Sequence, residues 1–137
     1  MTVNLLAIDA SSLPASCAFF RGEMLVAEEY LHNRMTHSQT MMPMVEHMMQ
    51  NAGATLQEVD AVAVTIGPGS FTGLRIGIAA AKGIAWGCGK PCVPVSTLRA
   101  LACNGLSFIG RCYRIRQAGR RSDRQDSDSQ HFQADRQ

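Results

Sequence analysis

The segment from residue 61 to residue 86 constrains the fold more than any other part of the chain. Its first six residues are apolar or small and predict a strand that is buried on both faces. A Gly-Pro-Gly turn breaks this strand, and Ser70 is a suitable N-cap for the helix that follows. That helix is apolar almost all round, since only Arg75 and Lys82 form a charged edge. We therefore expect a cover on two sides, its own sheet on one and, as a candidate, a second protein chain on the other.

Three glycines at this turn raise the question of phosphate binding, because a helix N-terminus offers free N–H groups to an anion. Gly67, Gly69 and Gly73 are spaced G-x-G-x-x-x-G, whereas the dinucleotide fingerprint is G-x-G-x-x-G. No lysine follows a glycine at the spacing of a Walker loop. The pattern favours the alternative, in which the glycines permit a tight turn and close helix packing.

The remaining pattern predicts an α/β domain. Short β-rich runs and a glycine turn at residues 21–23 predict an antiparallel meander of three strands. A helix then crosses over to the strand at 61–66, and a fifth strand and a third helix follow the second helix. The predicted strands cover residues 4–9, 15–20, 24–31, 61–66 and 92–95, and the predicted helices cover 38–52, 70–86 and 96–104.

The first helix carries an unusual number of methionines. Its apolar side chains fill an arc of about 160° on the helical wheel. Such an arc either packs in the hydrophobic core or forms a surface for a partner helix. The second use is open to methionine because its side chain repacks easily. Thr36 or Ser38 can cap this helix, and Pro43 is tolerable only near its first turn. The arc consists of Met41, Met42, Met44, Val45, Met48, Met49 and Ala52.

Composition excludes several classes of protein. The five cysteines are odd in number and irregularly spaced, which indicates reduced thiols rather than a disulfide framework or a zinc site. His32, His37 and His47 form no i,i+4 pair, so they predict no metal centre. No apolar run is long enough to cross a membrane and no signal peptide is evident, so we expect a cytoplasmic protein.

Charge divides the chain at about residue 104. Residues 1–104 hold 6 Lys or Arg and 7 Asp or Glu, whereas residues 105–137 hold 7 and 4. The nearly neutral first part argues against a dedicated RNA-binding surface on it. The second part has no lysine, glutamate, valine or methionine. Its composition is that of a disordered basic tail, whereas our preferred hypothesis is an out-of-frame read-through of a disrupted gene.

Four segments together resemble one family, the bacterial tRNA threonylcarbamoyladenosine biosynthesis protein TsaB, also called YeaZ. The most specific segment reads GPGSFTGLRIG and is followed by AKGIAW; the others read LLAIDAS, HSQ with MMPMV, and VSTL. The family is a degenerate sister of the TsaD/Kae1 enzymes in the actin-like ATPase superfamily. The resemblance covers residues 1–104 and implies the first lobe of the actin-like (ribonuclease H-like) fold. This lobe has the order β-β-β-α-β-α-β-α and a mixed five-stranded sheet, and the family's second lobe has no counterpart here.

The resemblance also implies a function. TsaB-like proteins are non-catalytic scaffold subunits of the complex that forms N6-threonylcarbamoyladenosine in tRNA. They pair with the transferase TsaD, with the ATPase TsaE as a third component, and can pair with themselves. The resemblance therefore implies no cofactor, no metal, no membrane and only indirect contact with tRNA. Two alternatives remain open: a small actin-like ATPase or phosphotransferase fragment, and a non-functional truncated product.

The candidate site residues form two groups, and neither contains a predicted catalytic residue. Asp9 ends the first strand, but Ala10 and Ser11 replace the glycine of ATP-binding relatives, and one acid without a base is weak support for catalysis. The possible vestigial phosphate-facing residues are Asp9, Ser11, Gly67 and Gly69. The predicted partner interface consists of Met41, Met42, Val45, Met49, Phe71, Gly73, Leu74, Gly77, Ile78 and Ala81.

Overall fold

One mixed sheet of five strands organises the computed structural model, which describes residues 2–32 and 35–104. Two long helices and one short 3-10 helix connect the strands. The strands are β1 (Asn4–Asp9), β2 (Ala15–Arg21), β3 (Met24–Leu31), β4 (Ala61–Gly67) and β5 (Cys92–Ser96). The helices are α1 (His37–Asn51) and α2 (Phe71–Cys88), and the 3-10 helix is Leu56–Glu58.

The strand order is β3-β2-β1-β4-β5. The first three strands are antiparallel neighbours, as the predicted meander requires, while β4 pairs parallel with β1 and β5 pairs parallel with β4. In this register Leu6 lies between Phe19 on β2 and Val62 on β4. All three side chains are fully buried, and they form the centre of the core. The predicted fold class, a mixed five-stranded sheet of the actin-like type, is confirmed.

The capping residues Ser70 and Gly89 mark the start and the end of helix α2. The hydroxyl of Ser70 accepts a hydrogen bond from the N–H of Gly73 at 3.3 Å, as an N-cap should. Gly89 ends the helix in the left-handed conformation with φ of 63°. The helix therefore continues two residues beyond its predicted end at Trp86.

Helix α1 differs from its prediction in two respects. It begins at His37, so Ser38 lies inside the helix and Thr36 occupies the N-cap position, without a side-chain capping bond. The helix also continues through Pro43, its seventh residue, so the expectation that this proline belongs near the first turn is wrong. Proline lacks an N–H, so the helix loses one backbone bond there, and Pro43 is exposed, where water can reach the freed carbonyl.

A short capped turn, absent from the sequence prediction, brings the chain from α1 to β4. Thr55 and Glu58 form a reciprocal capping box around the 3-10 helix. The carboxylate of Asp60 then accepts a hydrogen bond from the backbone N–H of Asn4 at 2.8 Å. This bond joins the start of β1 to the residue before β4 and thereby sets the two strands side by side.

The chain divides into two units after Ala100. The first unit contains the whole sheet, both long helices and the helical residues 97–100. Of the second unit the structure describes residues 101–104, which are helical. The predicted basic tail, residues 105–137, and its out-of-frame alternative lie outside the described residues, and the predicted boundary at residue 104 stays a prediction. No described helix has the length and apolar character needed to span a membrane.

Candidate protein-protein interface

The two long helices lie next to each other on one face of the sheet. Helix α1 packs on β2 and β3, α2 packs on β4 and β1, and the helices also contact each other. Both begin near the end of β1. The N–H of Ser70 donates to the carbonyl of Ser11 at 2.7 Å, and His37 is close enough to lower the pKa of Asp9.

The inner face of α1 holds most of its methionine arc. The buried side chains are Met41, Met44, Val45, Met48 and Met49. Three of the predicted interface residues, Met41, Val45 and Met49, are therefore core residues of this chain. The arc is wide because α1 contacts both the sheet and α2. The prediction considered only the contact with the sheet. Met42, at the edge of the arc, is 46% exposed.

The small residues of α2 also face inwards. A Cβ at Gly73 would collide with the carbonyl oxygen of Ala10, and one at Gly77 would stand 3.0 Å from the Cβ of Ala10. Ala81 is fully buried in the core. These three predicted interface residues thus bring the helix close to the end of β1, and they are covered by the chain itself.

The remaining predicted residues are less buried than those just described. Phe71 is 74% exposed at the start of α2, while Leu74 and Ile78 are half-buried on the same helix. The prediction missed Trp86, which is 89% exposed near the end of α2. Trp86, the only tryptophan in the chain, stands opposite Gly77 on the helical wheel, so its exposure follows once Gly77 is known to face the sheet.

Two shallow grooves lie on the two helices. One of about 350 Å³ lies on α2, where the guanidinium of Arg75 stands 5.4 Å from the centre of the Phe71 ring. Another of about 350 Å³ runs between α1 and the 3-10 helix, with Met42, Glu46 and Leu56 among its lining residues. The surface therefore combines exposed apolar side chains, two grooves and a few charges, and it is the candidate protein-binding surface of the described residues.

The second candidate group surrounds Asp9. One of its carboxylate oxygens accepts hydrogen bonds from the Thr65 hydroxyl at 2.7 Å and from the Ser11 N–H at 3.0 Å. Burial raises the pKa of Asp9, but these hydrogen bonds and the nearby His37 outweigh it and hold the pKa below its ordinary value. The carboxylate is thus ionised and already bound by neighbouring donors.

The loop after β4 closes on the loop after β1. The N–H groups of Ser70 and Gly73 are occupied by Ser11 and Ser70 respectively. Gly69 packs so closely on Ser11 that a Cβ there would collide with its carbonyl, and Gly67 adopts φ of 121°. The chain itself thus uses groups that a phosphate loop would offer to its ligand.

The opposite face of the sheet holds an open depression of about 530 Å³. Its floor consists of small residues, Ala7, Ala18 and Ala63, and Asp9 and Thr65 stand among its lining residues. Among residues 2–32 and 35–104, no group of three His, Cys, Asp or Glu side chains is arranged to hold a metal ion.

Comparisons with known proteins identify relatives of the described part. The family model of TsaD, tRNA N6-adenosine threonylcarbamoyltransferase, matches residues 29–111. A protein of Haemophilus influenzae named tRNA threonylcarbamoyladenosine biosynthesis protein TsaB is 41% identical over 101 residues, which are 73% of this chain and 42% of the relative. The Bacillus subtilis protein of the same name is 36% identical over 108 residues, 79% of this chain and 47% of the relative.

A solved structure gives the same result. YeaZ from Pseudomonas aeruginosa superposes with a TM-score of 0.72 at 35% identity, covering 79% of this chain and 50% of that one. The chain thus spans about half the length of the relatives that it matches.

Proposed function

Because this chain belongs to the TsaD family and is TsaB-like over the part that it shares with its relatives, we propose that it serves the formation of N6-threonylcarbamoyladenosine in tRNA. Its role in this proposal is that of a non-catalytic subunit, which binds and supports a TsaD-type transferase. TsaE is the expected third component. Residues 1–104 act as the first lobe of the family fold.

The exposed apolar surface on α1 and α2 is the observation that carries this proposal. Met42, Phe71 and Trp86 are large apolar side chains that stand in water on adjoining helices. In this proposal these side chains belong to one contact surface, since exposed apolar patches mark sites of protein association. We therefore restrict the predicted interface to the exposed residues Met42 and Phe71 and the half-buried Leu74 and Ile78, and we add Trp86.

The surroundings of Asp9 favour a non-catalytic role. Its carboxylate is held by Thr65 and Ser11, and its lowered pKa suits an ionised structural group better than a general acid. Two N–H groups after β4, those of Ser70 and Gly73, are bound by the chain's own Ser11 carbonyl and Ser70 hydroxyl. In the proposed complex the transfer chemistry therefore belongs to the partner. Contact with tRNA is indirect, since residues 1–104 are nearly neutral.

One pair of variants tests the interface. Met42→Glu places a carboxylate on the proposed surface, where it stays hydrated in the free protein but loses water in the complex. Met24→Glu is the matched control, because Met24 is 62% exposed at the start of β3 and belongs to neither helix. We expect Met42→Glu to weaken binding to TsaD at least ~10-fold in calorimetry, and Met24→Glu to leave it unchanged. Equal affinity of the wild type and a folded Met42→Glu variant would refute this interface.

A further inference from the structure

Helix α1 has one exposed methionine and four buried ones. Of the eight methionines in the chain, five lie on this helix. Met42 is 46% exposed, whereas each of the others exposes at most 4% of its surface. A reagent dissolved in water therefore reaches one thioether on α1, and the fold keeps it from the other four. The buried methionines of α1 are Met41, Met44, Met48 and Met49.

The exposed thioether borders the groove between α1 and the 3-10 helix. Met42 lines this groove together with Glu46, one helical turn further along α1, and with Leu56 of the 3-10 helix. Met42 also belongs to the surface on which the proposed function places TsaD. Its sulfur atom is thus within reach of small solutes in the free chain and is covered by the partner in the proposed complex.

A thioether at such a position has a defined oxidation chemistry. Its sulfur donates a lone pair to one oxygen of a peroxide, the O–O bond breaks, and the products from hydrogen peroxide are methionine sulfoxide and water. The sulfur loses two electrons, and the peroxide gains them. Methionine sulfoxide reductases reverse the change, because two thiols become a disulfide while the sulfoxide oxygen leaves as water.

The sulfoxide opposes the proposed contact with TsaD. In the free chain its oxygen is hydrated, because Met42 is exposed. In the complex the same oxygen loses water and needs a hydrogen-bond donor. Glu46 borders the same groove, and an ionised carboxylate accepts hydrogen bonds but donates none. Oxidation therefore turns an apolar contact into a desolvated polar group without a donor from this groove residue.

We propose that Met42 is a reversible oxidation site, at which a peroxide converts the thioether into the sulfoxide and thereby weakens the binding of TsaD. The inference rests on the proposed function and adds to it a modification that regulates the contact. The four buried methionines of α1 stay reduced, so the fold survives the oxidation. Bound TsaD protects Met42, and a sulfoxide reductase restores the binding surface.

Peptide mapping by mass spectrometry tests the site. The full chain is treated with hydrogen peroxide, and dithiothreitol then reverses sulfenic acids and disulfides but leaves the sulfoxide. We expect Met42 to gain one oxygen atom at least ~10-fold faster than the buried methionines. Bound TsaD should slow this gain at Met42 but not at Met24, which belongs to neither helix. Equal rates at Met42 and the buried methionines would overturn the proposal.

Calorimetry with TsaD tests the consequence, and each variant is compared with its own untreated form. Oxidation of the wild type should weaken binding roughly 10-fold, and treatment with a sulfoxide reductase should restore it. Peroxide should not change the affinity of Met42→Leu, because leucine has no sulfur. The matched control Met24→Leu should lose as much affinity as the wild type.

The outcomes separate this inference from the proposed function. Met35 and Met24 are also exposed, so a loss of affinity on oxidation of Met42→Leu would assign the effect to another residue and overturn the proposal. An oxidised wild type that binds like the untreated one would overturn it as well. If Met42→Glu weakens binding while the sulfoxide does not, the proposed function stands and this inference falls. If the untreated wild type does not bind TsaD, both fall.

Discussion

Two alanine substitutions in α2 should have opposite effects on stability. Gly83 has open space where a Cβ would stand, whereas a Cβ at Gly73 would collide with the carbonyl oxygen of Ala10. Glycine in an exposed helix interior costs about 0.5–1 kcal/mol relative to alanine. Gly83→Ala should therefore stabilise the folded chain by about that amount.

Gly73→Ala gains at most a similar amount from helix propensity. Its new methyl group, however, can be accommodated only if α2 moves away from the end of β1. Overpacking of this kind typically costs ~1–3 kcal/mol. The obstructing atom belongs to the backbone, and the neighbouring Ser11 carbonyl is bonded to Ser70, so the strand end cannot yield easily. We expect a net loss, and a difference of about 2 kcal/mol between the two variants.

Urea unfolding followed by circular dichroism measures both free energies of unfolding, with the wild type as reference. For a domain of this size the expected gap corresponds to about 10 °C or more in melting temperature. If Gly73→Ala proved as stable as Gly83→Ala, the close contact between α2 and the end of β1 would be refuted. If Gly83→Ala lowered the free energy of unfolding, the face of α2 that carries Gly83 would be covered in solution.

Two further predictions use single side chains. Because the pKa of Asp9 is lowered on folding, its ionised form contributes stability above its unfolded pKa of about 3.9, and this contribution is lost as pH falls through the folded value. The stability difference between the wild type and Asp9→Asn should thus shrink between about pH 5 and the folded pKa, and a pH-independent difference in urea unfolding would contradict this. Trp86, the only tryptophan, should show the fluorescence of a hydrated indole and move to shorter wavelength when TsaD binds. An unchanged spectrum in the saturated complex would place Trp86 outside the interface.

Elements with strong local signals were predictable from the sequence. The hairpin β2–β3 has a glycine turn, and α2 has a serine cap before it and a glycine after it, so their bounds agree within one or two residues. The 3-10 helix was missed because its capping box spans only four residues and has no apolar period. The bond from Asn4 to Asp60 joins residues 56 positions apart, which no local pattern reveals.

The candidate interface was predictable as a pair of helices but not as a set of side chains. A helix that is apolar all round does not show which face meets the sheet. That choice depends on Ala10, whose backbone occupies the space beside Gly73 and leaves room only for small residues. Once Gly77 is known to face the sheet, the helical periodicity gives the residues on the opposite side of α2, and Trp86 is one of them.

The central position of β1 has a consequence for biosynthesis. During synthesis β1 can pair with β2 as soon as β2 emerges, but its other edge waits for β4, more than fifty residues later. Until then the row of N–H and C=O groups along Leu5–Ile8 is open to any passing strand. Helix α1, made in the interval, can cover only the face of the early hairpin sheet, not its edge. We therefore expect slow synthesis between residues 31 and 61 to increase aggregation of the nascent chain, and chaperone supply to relieve it.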